Sequence, residues 1–370
     1  MSLKEQYQQV AEKLIESYTI EYVTSSIRKY SKNTPRNQTS SLYQHVTVMM
    51  NTVSKYRNNT EGLDKVLEVI DLPQIYANVD KREKEQEISG IGYEDILVQE
   101  LLHYFKNDFF KWVNKPHCPS CHNSDESKIE SLGVATYPAN IPNPHEITRI
   151  EKYRCLVCHN SVEFSRMNNP ISLLTTREGR CGEWVNCFML ILQSLLGVNE
   201  FEDRLRYVWN YEDHVWIEYY SKSLKRWIHL DPCEAVYDEP HLYCSNWGKQ
   251  MSYVIGFNDT YMIDLSSKYI IPDKQIDQKS IVPSPDHFKE YMAYLNYLKL
   301  IETYKKIEKC SLSVSQKIIK LYYSRILPMN QELKALRELN VVPSKTIANE
   351  LPKGRQTGSK QWTHERGEGG

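Results

Sequence analysis

The sequence predicts an α+β protein, because helical periodicity at both ends of the chain surrounds a central region that alternates like β-strands. Near the N-terminus, large apolar residues recur at spacings of three and four, as on one face of a helix: Leu3, Tyr7, Val10, Leu14 and Tyr18. Residues 206–231 alternate apolar and polar side chains, which is typical of strands. Residues 290–340 return to helical spacing. Helices that flank a strand-bearing centre indicate the α+β class.

The composition is that of a globular protein. The chain has 370 residues, enough for one large domain or two modest ones, with 41% hydrophobic and 25% charged residues. Lys plus Arg (46) nearly equals Asp plus Glu (47), which gives a formal net charge of −1. A nucleic-acid-binding protein normally shows a basic excess or a basic stripe. We therefore expect no nucleic-acid partner.

The N-terminal region is predicted to be helical with interruptions. The first helix covers residues 3 to about 31, and the segment 31–41, which contains Asn-Thr-Pro, ends it. Residues 42–90 look helical and rich in charge, with Pro73 as an interruption. A strong amphipathic helical pattern follows over residues 93–110.

Farther along the chain, residues 112–166 lose helical periodicity, and residues 181–197 are apolar nearly all round, which predicts a buried helix. The final helical region divides near Cys310 to Ser313, and the polar, Gly-rich end is predicted to be disordered. We expect four parts: an N-terminal helical region (1–90), a central core (91–280, including 112–166), C-terminal helices (281–350) and a disordered tail (351–370).

The first residues show no charged lead followed by an apolar stretch, so we expect no secretory signal. No apolar run approaches the roughly 20 residues that span a bilayer, so we expect no membrane partner. These features predict a cytosolic or nuclear protein. In a reducing compartment, the nine cysteines are better explained as metal ligands, a nucleophile or core residues than as disulfides.

Two C-x-x-C pairs predict a structural zinc site. They are Cys118 with Cys121 and Cys155 with Cys158. Four thiolates complete a tetrahedral shell and leave no open position, so the metal would support folding and not catalysis. The alternatives are a redox pair or core cysteines, or a histidine in place of one thiolate: His117, His122 or His159.

Cys181 is the candidate nucleophile. It opens the predicted buried helix and stands between Arg180 and Gly182, with Gly179 just before them. Small neighbours allow a sharp turn and close approach of a substrate. A helix N-terminus also favours the thiolate over the thiol. The alternative is a small, buried cysteine at a helix cap.

Two strand-like segments supply partners for this cysteine. A hairpin centred on Lys222 and Ser223 would set His214 directly opposite Asp231, with both side chains on one face. Asp231 would then orient His214, and His214 would accept the thiol proton. His229 is the rival base, but in this register it lies opposite a tryptophan.

The same face carries Trp216 and Trp227, with Glu218 between them. Aromatic rings beside a catalytic triad suit the apolar faces of sugar rings, although ordinary core packing explains tryptophans equally well. Glu234, three residues past Asp231, is a candidate acceptor for sugar hydroxyls.

With these residues in view, the chain resembles the cytoplasmic peptide:N-glycanases of the transglutaminase-like superfamily. The resemblance runs from about Gln99 to Tyr243. Its most specific segments, besides the cysteine pairs and Phe109-Phe110-Lys111-Trp112, are Gly179-Arg180-Cys181-Gly182-Glu183-Trp184, Asp213-His214-Val215-Trp216 and Asp231-Pro232-Cys233-Glu234-Ala235. The resemblance implies a papain-like cysteine hydrolase core with bound zinc, flanked by helices. It also implies hydrolysis of the bond between N-linked glycan and asparagine in misfolded glycoproteins, coupled to ER-associated proteasomal degradation.

Residue by residue, the resemblance implies that Cys181 is the nucleophile, His214 the base and Asp231 its orienting partner. It implies that Trp112 helps to stabilise the oxyanion, and that Trp216, Trp227 and Glu234 bind the proximal N-acetylglucosamines. The chain looks like the compact fungal form, whose N-terminal helix docks on a ubiquitin-receptor shuttle protein of the proteasome; helix-spaced apolar residues are, however, often core.

Two other functions share this superfamily. A transglutaminase would use the same triad for acyl transfer to lysine. A catalytically inactive transglutaminase-like binding protein would lack the triad, whereas all three positions are filled here.

Overall fold

The computed structural model describes residues 2–36, 40–85, 91–196 and 203–339. Within those ranges no helix combines the length and the apolar character that a membrane span requires. The helices before the first strand are α1 (Leu3–Lys32), α2 (Ser41–Met49), α3 (Ser54–Arg57), α4 (Thr60–Val69), α5 (Leu72–Glu85) and α6 (Tyr93–Tyr104).

The first helix and the amphipathic segment are where the sequence predicts them. Pro73, however, does not interrupt a helix. It is the second residue of α5, in a helical first turn where its missing N–H has no partner to lose. The break in this part of the chain falls instead at Ile70 and Asp71. Part of the predicted 31–41 break, residues 37–39, lies outside the described residues.

The centre of the chain holds the strands and the buried helix. In chain order the elements are β1 (Lys111–Trp112), β2 (Ile129–Thr136), β3 (Ile147–Cys155), β4 (Ser161–Met167), α7 (Pro170–Thr176), β5 (Glu178–Gly179), α8 (Cys181–Leu195), β6 (Leu205–Asn210), β7 (His214–Ser221), β8 (Arg226–Asp231), β9 (Val236–Tyr237), β10 (Val254–Phe257), β11 (Met262–Asp264) and α9 (Ser266–Tyr269). The predicted buried helix is confirmed, because every residue from Glu183 to Gln193 is buried.

These strands form three sheets. The largest has six antiparallel strands in the order β11-β10-β6-β7-β8-β9. The strands β2, β3 and β4 form an antiparallel sheet beside the cysteine pairs. The short strands β1 and β5 pair in parallel. Helix α8 lies in a core shared with the helices before β1 and with β6–β8, from Val53 to Cys233.

The β7–β8 register differs from the prediction by two residues. Ser221 pairs with Arg226 and Ile217 with Leu230, so the turn spans the four residues 222–225. His214 is therefore diagonal to Asp231 and not directly opposite it. Because a shift of two residues preserves the face of a strand, both side chains still point to the same side.

The C-terminal region consists of α10 (Pro285–Glu308), α11 (Val314–Leu321), a π-helical turn (Tyr322–Ile326) and α12 (Leu327–Glu338). The predicted break near Cys310 is confirmed. Helix α12 sends Glu332 into the large sheet, where its carboxylate accepts hydrogen bonds from Arg206 at 2.8 Å and from the Tyr261 hydroxyl at 2.7 Å. The predicted tail lies outside the described residues.

Candidate active site

Cys181 is the first residue of α8, and its side chain is partly buried against the main core. Arg180 precedes it in an extended conformation, and the Arg180 backbone N–H donates to the Glu183 carboxylate at 3.0 Å. The first backbone N–H groups of a helix have no partner within the helix. The cysteine is thus held where N–H groups and the helix dipole favour negative charge.

A buried network of four charged side chains fixes this helix start. Both carboxylate oxygens of Glu151 on β3 accept from Arg180, at 2.5 and 2.7 Å. Arg166 on β4 donates to Glu151 at 3.2 Å and to Glu183 at 2.7 Å. Burial would raise the pKa of Glu151, but Arg180 and its other partners lower it to about 2. The network ties the nucleophile helix to the sheet beside the cysteine pairs.

The two glycines around Cys181 have different surroundings. A Cβ atom on Gly179 would lie 2.4 Å from Cβ of Glu183, so this position has no room for a side chain. A Cβ on Gly182 would meet nothing within 4 Å. Gly179 therefore serves the packing of the turn, whereas Gly182 leaves open space beside the cysteine.

The structure brings His214 and Asp231 together. Nε2 of His214 lies 3.0 Å from Oδ2 of Asp231, and both side chains are buried. The other oxygen, Oδ1, accepts the backbone N–H groups of Cys233 and Glu234 at 2.9 and 3.2 Å. The Tyr243 hydroxyl donates to Oδ2 at 2.9 Å. Burial would raise the pKa of Asp231, but the hydrogen bonds and the imidazole lower it, so Asp231 stays ionised.

An ionised Asp231 keeps the His214 proton on Nε2, because that nitrogen faces the carboxylate. The other ring nitrogen, Nδ1, is buried and has no hydrogen-bond partner within the described part of the chain. His214 is thus oriented with an acceptor nitrogen available for a thiol proton. The ring is held edge-on between Tyr243 and Trp247, at centroid distances of 4.9 and 5.3 Å.

Lys249 links the histidine and the cysteine. Its Nζ donates to the carbonyl of Asp213, the residue before His214, at 3.4 Å. Burial lowers the pKa of Lys249, while Asp213 and the Cys181 sulfur act in the opposite direction. Lys249 therefore interacts electrostatically with Cys181 and hydrogen-bonds the residue before His214.

The rival base His229 has no such arrangement. Its side chain is fully buried opposite Glu218, and burial lowers its pKa to about 4. One ring nitrogen bonds the Tyr243 hydroxyl at 2.8 Å, and the other accepts the Glu239 N–H at 3.3 Å. His229 is a neutral structural residue that orients Tyr243.

Two of the three predicted sugar-binding residues do not face an open surface. Trp216 is 0% exposed and packs against Tyr243, so direct contact between its ring and a sugar is excluded in this conformation. Glu234 is buried and forms an ion pair with Lys106 at 3.1 Å. Trp227 remains partly exposed, with its ring 3.8 Å from the Arg206 guanidinium.

Trp112 lies close to Cys181 along the paired strands. Strand β1 pairs Trp112 with Gly179, two residues before Cys181. The indole N–H donates to the Asn114 side chain at 2.8 Å. Donation to an oxyanion would require the indole to exchange that partner.

The four predicted ligand cysteines form one cluster. Their sulfur atoms all lie within 4.8 Å of one another, and two cross-pair distances are 3.5 and 3.6 Å. In a tetrahedral zinc site with Zn–S bonds near 2.3 Å, sulfur atoms are about 3.8 Å apart. The turns after the two cysteine pairs have the same conformation. His122 and His159 each have a left-handed backbone, and the backbone N–H of each donates to the carbonyl of the first cysteine of its pair. The cluster can hold a metal ion, and neither these histidines nor His117 belongs to it within the described residues.

The sequence interpretation missed several residues of the site. Tyr243, Trp247 and Lys249 come from the segment between β9 and β10, which carries no periodic pattern. The sequence shows the repeat Cys-x-x-Cys-His-Asn and the charged residues Arg180 and Glu183 beside Cys181. It does not show that Arg180 and Glu183 pair with Glu151 and Arg166, because those partners are distant in sequence.

Comparison with family models places the chain in a known superfamily. A model described as the transglutaminase-like superfamily matches residues 136–232. A second model, the Rad4 transglutaminase-like domain, matches residues 205–321.

Individual relatives extend this similarity over the whole chain. A Candida albicans protein named peptide-N(4)-(N-acetyl-beta-glucosaminyl)asparagine amidase is 45% identical over 98% of this chain and 96% of its own length. A Debaryomyces hansenii protein with the same name is 45% identical over 99% of this chain and 98% of its own length. A mouse protein with that name is 37% identical over 76% of this chain and 39% of its own length.

Proposed function

The chain belongs to the peptide-N(4)-(N-acetyl-beta-glucosaminyl)asparagine amidase family, with a transglutaminase-like core, and on this basis we propose that it removes N-linked glycans from misfolded glycoproteins. The reaction hydrolyses the side-chain amide of a glycosylated asparagine. The observation that carries the proposal is the buried His214–Asp231 pair, at the start of β7 and the end of β8 in the sheet that packs on the Cys181 helix.

In the proposed first step, Nδ1 of His214 accepts the Cys181 thiol proton and the thiolate attacks the amide carbon. Backbone N–H groups at the start of α8 stabilise the oxyanion. Trp112 assists if its indole leaves Asn114. The His214 imidazolium, stabilised by Asp231, then protonates the leaving glycosylamine.

In the second step, water attacks the resulting thioester while His214 accepts a proton. The C–S bond breaks, the Cys181 thiol is restored, and aspartate remains where glycosylated asparagine stood. The reaction consumes water alone, so no redox or nucleotide group takes part.

We propose that the four-cysteine cluster holds a structural Zn²⁺ ion. Cys118, Cys121, Cys155 and Cys158 present four sulfur atoms at spacings that suit tetrahedral coordination. When bound, the metal supplies folding stability and no catalytic position. No disulfide joins any of the nine cysteines, all of which lie in the described ranges, and this supports a reducing compartment such as the cytosol or the nucleus.

For the glycan we propose contact with Trp227, the partly exposed member of the predicted sugar-binding set. Trp216 and Glu234 support the site without touching the glycan. Trp216 packs on His214, and Glu234 forms an ion pair with Lys106. This assignment replaces direct contact with a supporting role for those two side chains.

The test is release of glycan from a denatured high-mannose glycoprotein. The native chain should release it and convert Asn to Asp, as read by gel shift and mass, whereas Cys181→Ala should not. Cys310→Ala, at the distant α10–α11 junction, is the matched control and should keep full activity. If the folded native chain releases nothing, the amidase proposal fails and a binding role becomes the better explanation.

A transglutaminase activity is distinguished in the same experiment. Added primary amine would appear in the product if the thioester were transferred to an amine and not hydrolysed. Mass analysis of the former glycosylation site therefore separates the two reactions.

We also propose that α1 docks on a ubiquitin-receptor shuttle protein, which would couple deglycosylation to ER-associated degradation. Its predicted apolar row is exposed, from 47% at Tyr18 to 68% at Tyr7, and is therefore not core. The helix contacts the C-terminal helices from Glu16 onward, where the Glu16 carboxylate accepts from the Ser315 hydroxyl at 3.0 Å and where Thr19 and Tyr30 are buried. Leu14→Ser should abolish binding of a purified shuttle protein while glycan release persists; Lys13→Ser, one residue away and also exposed, should leave binding intact.

A further inference from the structure

A cavity of about 450 Å³ lies between α1, α10, α12 and β11, and shares no lining residue with the candidate active site. Its wall is mainly aromatic and aliphatic, with Tyr22, Tyr30, Met292, Tyr297, Leu300 and Met329 among the lining residues. Volumes of this size accommodate small organic ligands. No residue that the proposed reaction uses lines this cavity, so the reaction does not account for it.

One side chain in the wall is a buried cation. Arg325, in the π-helical turn before α12, is 2% exposed. Its Nη2 donates to the Asn296 carbonyl at 3.0 Å, and its guanidinium lies 5.4 Å from the Tyr261 ring. Nε and Nη1 have no hydrogen-bond partner among the residues that the structure describes. Buried polar groups are normally paired, so these two nitrogens require an explanation.

The carboxylates near Arg325 are already engaged. Asp203 attracts Arg325 electrostatically, but its carboxylate already accepts hydrogen bonds from Arg57 at 3.3 Å and from the Thr260 N–H at 2.8 Å. Asp259 pairs with Arg57 at 2.8 Å. Burial lowers the pKa of Arg325 to about 10, and Tyr22, Tyr261 and Asp203 offset this effect only in part.

The buried cluster of Arg325, Arg57, Asp203 and Asp259, together with Lys299, therefore carries excess positive charge. Lys299 adds a third cation, and its carbonyl and amide partners bring no negative charge. Three cations thus face two buried carboxylates, since the third carboxylate that acts on Lys299, Glu302, is half-exposed and pairs with Lys306 at 3.2 Å. Farther along the cavity wall, Lys289 and Asp264 contribute one charge of each sign and leave the balance unchanged.

We propose that this cavity binds a small organic carboxylate, with the carboxylate group on the Arg325 guanidinium and the apolar body against the aromatic wall. Carboxylates match the planar donor geometry of arginine. A phosphate on Arg325 would not gain donors from Ser26 or Asn296, because the Ser26 hydroxyl donates to a backbone carbonyl and the Asn296 amide donates to the Met262 carbonyl.

The experiment is calorimetric titration of the full chain with octanoate, with 1-octanol of the same length, and with inorganic phosphate. We expect octanoate to bind about tenfold or more tightly than 1-octanol, as loss of a charged hydrogen bond predicts. Equal affinity for octanoate and 1-octanol, or no binding of octanoate, would overturn the proposal. Binding of phosphate without octanoate would overturn it as well.

Variants and exchange measurements locate the site. Arg325→Met should weaken octanoate binding about tenfold or more, while Arg325→Lys should keep part of it. Lys289→Met removes a charge from the far wall and should change affinity much less. If Arg325→Met does not fold, hydrogen exchange of the native chain decides: octanoate should protect residues 22–30 and 322–333, and protection elsewhere alone contradicts the site.

Discussion

Tyr243 and His229 extend the hydrogen-bonded His214–Asp231 pair beyond the three residues that the sequence singles out. His229 stays neutral because burial lowers its pKa to about 4, and it bonds the hydroxyl that donates to Asp231. Asp231 thus accepts four hydrogen bonds, two of them from backbone N–H groups. A carboxylate held this way orients His214 and remains charged despite full burial.

Replacement of Tyr243 by phenylalanine should make the reaction more sensitive to acid. The hydroxyl is one of the partners that lower the pKa of Asp231, so its loss raises that pKa. The acidic limb of the pH–kcat profile should move to higher pH, and kcat should fall by about tenfold at its optimum. Tyr253→Phe is the matched control, because that buried hydroxyl has no hydrogen-bond partner in the described ranges. An unchanged acidic limb in Tyr243→Phe would contradict this role.

Gly179 and Gly182 provide a second test at the residue scale. Gly179→Ala places Cβ 2.4 Å from Glu183 and should lower the free energy of unfolding by about 1–3 kcal/mol. Gly182→Ala meets no atom within 4 Å and should raise it by about 0.5–1 kcal/mol, because alanine is the better helix former. Urea denaturation of both variants measures the difference, and a loss of stability in Gly182→Ala would refute the assignment.

The three residues that we propose for the reaction could be predicted from the sequence. Cys181, His214 and Asp231 each stand in a local pattern, a helix start or an alternating strand, that indicates their direction. Tyr243 and Trp247 lack such a pattern, and their contacts with Asp231 and His214 exist only because the chain returns to the sheet after β9. Burial of Trp216 was equally inaccessible, since it depends on Tyr243 and Tyr269 packing over it.

At the scale of elements, strand alternation gave the correct face but not the correct pairing. The four-residue turn shifts the β7–β8 register by two, and only the even size of that error kept His214 and Asp231 together. Turn length is weakly encoded in the polar segment 221–225. The face of each strand, by contrast, is set by burial of its apolar side chains.

The Glu151 network predicts a specific pH dependence of stability. The pKa of Glu151 in the folded protein is about 2, below the ordinary glutamate value of 4.5. The stabilisation is therefore fully present above pH 4.5 and is lost as pH falls towards 2. Glu151→Gln should lower the urea midpoint at pH 6 and should flatten its dependence on pH between 5 and 3. Glu130→Gln, an exposed site on β2 with the same charge change, should do neither. A midpoint in Glu151→Gln that tracks the native chain at every pH would contradict the prediction.

At the scale of the whole molecule, one sheet connects the cysteine cluster to Cys181, the proposed nucleophile. Strand β3 carries Glu151 and ends at Cys155 of the cluster, and Glu151 holds Arg180 beside Cys181. The chain should contain one zinc ion. Cys118→Ser or strong chelation should lower the melting temperature and reduce glycan release, because the network loses its support.

Metal analysis, calorimetry and the glycan-release assay measure these effects. Cys310→Ser should leave all three unchanged. Full activity after complete removal of zinc would show that β3 keeps its position without the metal.

The sequence also left the role of the C-terminal helices open. Glu332 of α12 pairs with Arg206, which also pairs with Glu218 in the middle of the sheet. The helix therefore closes the interior of the large sheet. A carboxylate that reaches a partner 126 residues earlier leaves no local pattern in the chain.

The exposed apolar row on the first half of α1 also governs colloidal behaviour. Apolar patches on a surface promote association, and a formal net charge of −1 supplies little electrostatic repulsion between molecules. Concentrated solutions of the isolated chain at neutral pH are therefore poised for reversible clustering through α1. A ligand that covers this helix would act as a solubilising agent.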